Sequence, residues 1–205
     1  MTKGQLIESI RGYLIADEPS QDSNGKFNFK RIEIACEQMF GTMLTYMITE
    51  DIKGIEDNYV KDYRNQPIVR ADGIFYLTLP DKIVALPNGR GVWYVKPQGS
   101  RYALPPGGSH HSSMLSSLPV GEIVNNSVWS IGNAGTSPER KIIIEHLGES
   151  IYVNVTRWDF GLVRAFSSYG EGEEIYIPNG RYDYFIEGIF KFFGKRYQDK
   201  SNNNK

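Results

Sequence analysis

Apolar residues recur four apart at the start of the chain, at Leu6, Ile10 and Leu14, with polar and charged residues between them. That spacing puts them on one face of a short helix. Thr2 followed by Gln5 has the spacing of a capping box, and the helix runs out in ADEPSQDSNGKF, where Pro19 and the Ser, Asn and Gly after it supply turn chemistry. The next periodic run is longer. Asn28 is placed to cap it, with Phe27 before the cap and Ile32 four positions into the helix spaced as a hydrophobic staple. Ile32, Cys36, Met39, Met43 and Met47 mark one face and Phe40 and Leu44 widen it, which predicts the longest helix over 29–49.

After Asp57 the period shortens and aromatic and β-branched residues dominate. The runs GIFYLTL (73–79), GVWYVKP (91–97), KIIIEHL (141–147), SIYVNVTRW (150–158) and EIYIP (174–178) read as strands. Gly148 and Glu149 between KIIIEHL and SIYVNV predict a tight type II′ hairpin, and PNGRG (87–91) predicts a second turn. After Pro178 and Asn179 the helical period returns at Tyr182, Phe185, Ile186, Ile189, Phe192 and Phe193, with Lys191, Lys195 and Arg196 near the C-terminal end of the dipole. The order predicts an α+β fold with an antiparallel middle. A helical part covers 1–57 and a β-rich part 58–178, including a loop at 104–119. A C-terminal helix, 179–198, has an aromatic face expected to dock on the long helix or the sheet, and 199–205 is a polar tail.

Composition narrows the function. At 205 residues the chain suits one domain with a substantial core, or one domain with a lobe inserted into it. The 23 basic residues against 24 acidic ones give a net charge of -1, so no basic surplus exists to grip phosphate, and a general nucleic-acid binder is disfavoured. The single cysteine, Cys36, falls in an apolar helical pattern, where it reads as a buried thiol in a fold that needs no oxidising compartment. No run reaches the ~20 apolar residues of a membrane span, and the charged N-terminus lacks a signal-peptide core. These features predict a soluble chain made in a cytoplasm.

Local chemistry does not select an enzyme. His110 and His111 lie in LPPGGSHHSSMLSSLP (104–119), and adjacent residues on an extended segment point to opposite sides, so the pair is poorly placed to chelate one ion. The same stretch carries Met114, Leu115 and Leu118 in a Gly-, Pro- and Ser-rich setting. His110, His111, Met114, Leu115 and Leu118 are therefore expected to contact a partner. DSNGKFNFKRIE (22–33) has Asp and Glu at EF-hand distance, but Lys26 stands at the fifth position and Gly25 at the fourth, so a loop ending in a helix cap accounts for it better. GEGEE (170–174) precedes no helix and offers carboxylates where a phosphate loop needs Lys and Ser or Thr. Asp159, Glu171, Glu173 and Glu174 lie among aromatic residues without a local signature that selects a catalytic pair. No cofactor, metal or catalytic residue is expected.

Three tracts together resemble the neck and tail-connector proteins of tailed bacteriophages, above all the structural ring proteins of crAss-like phages. They are LIESIRGYLIADEPSQDSNGKFNFKRIEIACEQMFGTML, IFYLTLPDKIVALPNGRGVWYV and EIYIPNGRYDYFIEGIFKFFGKRY. The likeness spans nearly the whole chain and rests on pattern order; the 104–119 loop has no place in it. It implies a virion protein of the neck or tail region, made in the host cytoplasm, that links portal to tail as a homo-oligomeric ring. It also implies that the C-terminal helix returns to the helical part. It further implies about twelve copies closed by heterologous contacts, with the portal and adjoining neck or tail proteins as partners. Genomic DNA would pass without sequence recognition, and no membrane would be involved. The competing reading is a β-rich module that recognises carbohydrate or a host-surface receptor, with Trp93, Trp129 and Trp158 as stacking platforms.

Overall fold

The capping box forms as its spacing requires: Gln5 N donates to Thr2 Oγ1 (3.3 Å) and Thr2 N donates to Gln5 Oε1 (3.1 Å). Helix α1 then runs Lys3–Asp17 with Leu6, Ile10 and Leu14 buried. Asn28 Oδ1 accepts from Arg31 N (2.9 Å) and starts α2, Phe29–Thr49, whose ends are those of the expected helix. The computed structural model describes every residue except 18–24, 26, 51–53, 72, 85, 87–90, 108–126, 134–139, 148–149 and 196–205. The chain forms two compact units, a helical unit of Met1–Tyr59 with Arg164–Lys205 and a β unit of Val60–Val163.

The helical unit adds a short α3, Ile55–Tyr59, a 3-10 turn at Phe166–Ser168 and α4, Tyr182–Phe192. Its core joins Ile32, Cys36, Phe40 and Met43 of α2 to Phe185, Ile186 and Ile189 of α4, and Phe40 meets Tyr59, Phe166 and Tyr169 edge-on. Met39 is only half-buried; it lies against Gly188, where a Cβ would collide with its Sδ and Cε. The last helix stops before the expected 198. Gly194 adopts φ 73°, and Lys195 N donates to Phe190 O (2.9 Å) while Gly194 N donates to Lys191 O (2.9 Å), the pairing of a Schellman cap. Lys195 serves α1 instead of its own dipole, since its Nζ donates to Leu14 O at 3.1 Å.

The β unit holds two antiparallel sheets. One has three strands in the order β1-β7-β4 (Val60–Pro67, Arg157–Val163, Val92–Pro97). The other has four in the order β2-β3-β6-β5 (Val69–Ala71, Ile74–Thr78, Arg140–Glu145, Val128–Asn133). Leu77, Trp129, Ile142 and Ile144 from the larger sheet and Val95, Trp158, Phe160 and Leu162 from the smaller one share one core. Between β1 and β4 the chain passes over Gly161 without a side chain, and the Tyr94 ring occupies the space: a Cβ there would lie 2.7 Å from Tyr94 Cε1 and 2.8 Å from Val60 Cγ1.

Three sequence expectations are corrected. SIYVNV is not a strand and does not pair with KIIIEHL. His146 turns out of β6 at φ 59°, and Ser150–Asn154 form turns closed by Val153 N to Ser150 O (3.0 Å) and Val155 N to Tyr152 O (2.9 Å). Residues 174–178 do not join a sheet either; Glu174 bridges Thr2, and Ile175 N donates to Met1 O (2.9 Å). Residues 164–178 thus belong to the helical unit, and the β unit ends at Val163. The expected turn at 87–91 and the Gly148-Glu149 connection fall on residues outside those described, apart from Gly91.

Two substitutions should separate packing from polar satisfaction. Ile189→Asp places an unpaired carboxylate in the helical core and should lower stability by about 3 kcal/mol or more. Tyr59 is buried and its hydroxyl has no partner among the described residues, so Tyr59→Phe should leave stability unchanged or raise it by about 1 kcal/mol. Denaturant unfolding of both variants checks this; a loss above about 1 kcal/mol in Tyr59→Phe would mean that the hydroxyl is bonded.

Candidate functional site

The charged side chains of the helical unit converge on the segment that follows β7. Lys3 is buried, with Nζ 2.5 Å from Glu33 Oε1, donating to Tyr169 O (3.0 Å) and Ser167 O (3.4 Å). One turn further along α2, Glu37 Oε2 accepts from Ser167 N (2.6 Å). Arg164 stacks on Tyr169 at 4.1 Å and its Nη1 lies 3.1 Å from both carboxylate oxygens of Glu173. The backbone adds Lys3 N to Glu173 O and Gly4 N to Glu171 O, both 2.9 Å. Glu33, the last residue of the EF-hand-like stretch, is therefore held by a lysine, and Asn28 within it is a helix cap. Burial, reinforced by Glu33, pushes the Cys36 thiol far above its usual range, so it stays protonated and unreactive.

The exposed face of the three-stranded sheet is equally committed. Tyr94 donates to Asp62 Oδ1 (2.8 Å), and burial together with this bond pushes its phenol up. Asn65 sits in a β1 bulge at φ 58°, its N–H donating to Asp159 Oδ1 (2.8 Å) and its carbonyl accepting from Arg157 Nη1 (3.3 Å). Asp159 is thus a brace for a strained bulge in the β unit, while Glu171, Glu173 and Glu174 belong to the helical unit. Trp158 is fully buried with Nε1 donating to Val155 O (3.1 Å), and Trp129 is buried with Nε1 donating to Leu104 O (3.1 Å). Trp93 is half-buried.

The two most exposed large apolar side chains among the described residues lie at one end of the β unit. Pro97 pairs with Trp158, Gln98 N donates to Arg157 O (3.0 Å) and Ile68 N donates to Thr156 O (3.1 Å). These bonds bring the ends of β1 and β4 to the start of β7. There Tyr102 and Ile151, each 79% exposed, stand on neighbouring turns, with Val69 and Val153 also exposed. Arg70, Arg101 and Arg157, all exposed, belong to the same three stretches, 67–71, 97–104 and 150–157, which are flanked in sequence by Asp72 and Glu149. Large exposed apolar groups with arginines nearby in sequence have the composition of a protein contact. The sequence hid this site because Ile151 and Val153 read as alternate residues of a strand.

His110, His111, Met114, Leu115 and Leu118 lie outside the described residues. The start of their loop is anchored: Leu104 N donates to Val95 O (2.7 Å), Trp129 N to Pro105 O (3.1 Å) and Gly107 N to Trp129 O (2.6 Å). Among the described residues no helix is long and apolar enough to cross a membrane. Neither a protein-family model nor a curated protein sequence matches the chain.

The Lys3 pair supplies a test of this arrangement. Glu33→Ala leaves a buried ammonium with carbonyls alone and should cost about 2–4 kcal/mol. Lys3→Met removes the donors to the Ser167 and Tyr169 carbonyls along with the charge, so it should cost about as much, roughly 2–4 kcal/mol. Urea unfolding in which Lys3→Met costs less than about 1 kcal/mol would show that the pair does not organise residues 164–175.

Proposed function

We propose that this chain is a virion structural protein, a ring subunit in the head-to-tail connector of a tailed bacteriophage, surrounding the DNA channel between portal and tail. The observation that carries the reading is the apolar end of the β unit, where Tyr102 and Ile151 are each 79% exposed and Arg101 and Arg157, in the same stretches, are exposed as well. A ring subunit needs a rigid body and fixed protrusions that reach neighbours. It does not need a convergent acid pair. The carboxylates of Glu33, Glu37, Glu173, Asp62 and Asp159 hold the fold together, while Glu171 and Glu174 are exposed. The tracts that carry the phage resemblance correspond to α1 with α2, to β3 with β4, and to the Glu174–Lys195 segment with α4.

A carbohydrate-binding module is the second reading, and it loses two of its three platforms because Trp129 and Trp158 are inside the core with their N–H groups satisfied there. A net charge of -1 suits a channel wall that lets DNA slide.

The mass of the purified chain, measured alone and after co-expression with portal and adjoining neck proteins, tests the proposal. The expected result is a monomer or weak oligomer alone and a closed ring of about twelve copies on its partner. Replacing 108–119 with a Gly-Ser linker should leave the monomer folded and remove it from particles. A monomer in every mixture would overturn the connector reading.

A further inference from the structure

The two units carry charge of opposite sign. Ten Lys and Arg face eight Asp and Glu in the β unit, whereas thirteen face sixteen in the helical unit. At the end of the β unit that carries Tyr102 and Ile151, Arg101 and Arg157 are exposed; among the described residues Arg101 has no ion pair and the Arg157 side chain holds only the Asn65 carbonyl. The acidic counterpart is Gly170–Glu174. Its turn is closed by Gly170 N to Glu173 Oε2 (2.7 Å) and Glu173 N to Gly170 O (3.0 Å). Its backbone is fixed to Thr2, Lys3 and Gly4. Glu171 and Glu174 are exposed there without an ion pair among the described residues, and Tyr176, 48% exposed, follows directly. One surface therefore offers arginines with Tyr and Ile. The other offers carboxylates beside Tyr.

We infer that the Arg101–Tyr102–Ile151–Arg157 end of the β unit in one copy docks on the Glu171–Tyr176 segment of a second copy. This rests on the ring reading and names its subunit contact. The two surfaces are unlike, so the contact is heterologous: a copy that uses its basic end still presents its acidic segment to the next, and the chain of contacts closes where the rotation allows. Charge complementarity sets the register, and the apolar tips supply the desolvated centre.

Cysteine cross-linking tests the contact. Cys36 is buried and protonated, so it stays silent. Tyr102 is exposed, and a side chain at Gly172 would meet nothing within 4 Å, so Tyr102→Cys and Gly172→Cys are both tolerated. Mixing the two single variants under mild oxidation with the partner proteins should give a mixed dimer at least tenfold above either variant alone. A chain carrying both cysteines should give a ladder of trimers and larger species. Arg101→Glu with Arg157→Glu on the first chain should cut the mixed dimer at least tenfold, and Glu171→Arg with Glu174→Arg on the second should restore it. If Arg157→Glu lowers the melting temperature, Arg101→Glu alone carries the comparison. A mixed dimer no more abundant than self-paired species, or one indifferent to charge reversal, would overturn the contact. Closed wild-type rings without this cross-link would refute the contact and leave the ring reading standing; a ladder from a chain that never closes into rings would do the reverse.

Discussion

The helical unit depends on the burial of one ammonium group. The chain leaves this unit at Tyr59 and returns at Arg164, and residues 164–181 then cross it with a single 3-10 turn as regular structure. A segment with so few internal hydrogen bonds must find partners elsewhere for its carbonyls and N–H groups. Lys3 supplies them to Ser167 and Tyr169, Glu37 supplies one to Ser167, and the backbone of residues 1–4 pairs with 171–175. Glu33 compensates the charge that makes this possible. Phe166, Tyr169 and Ile175 can then fill the core that α4 completes.

The helices were legible because their signals are local. Thr2 with Gln5, and Asn28 with Phe27 and Ile32, define where α1 and α2 begin, and the apolar period states which faces are buried. The strands GIFYLTL, GVWYVKP and KIIIEHL were legible for the same reason, as β3, β4 and β6. β1 was not, because VKDYRNQP is polar and its period breaks at the Asn65 bulge, whose conformation depends on Asp159 ninety-four residues away. SIYVNV has the alternation of a strand but lacks a partner, and EIYIP pairs with the N-terminus, which no local pattern announces.

The site shows the same division. Candidate acids can be counted in a sequence, but whether they are available depends on what they bond in three dimensions. Glu173 is the clearest case, since a stretch that reads as a free acidic loop contains one carboxylate fixed by Arg164 and closing its own turn, between two that project outward. The sequence expectation placed partner contact on Met114, Leu115 and Leu118, whereas the described structure shows exposure at Tyr102 and Ile151. Both arguments use apolar residues out of place, and Met114, Leu115 and Leu118 lie outside the described residues.

The backbone beneath an exposed apolar group decides what a contact there costs. A long Gly- and Ser-rich stretch loses roughly 1–2 kcal/mol of backbone entropy per residue on being ordered, and a contact must offset this before it gains anything. Ile151 lies in the turn closed by Val153 N to Ser150 O (3.0 Å), and Tyr102 follows the turn closed by Ser100 N to Pro97 O (3.0 Å), its own N–H donating to Ser100 Oγ (3.1 Å). Their backbone entropy is lost on folding, so docking immobilises only side chains, at about 0.5–1.5 kcal/mol each. A surface docking on these turns would therefore have to offset side-chain ordering and desolvation, with the backbone beneath already fixed.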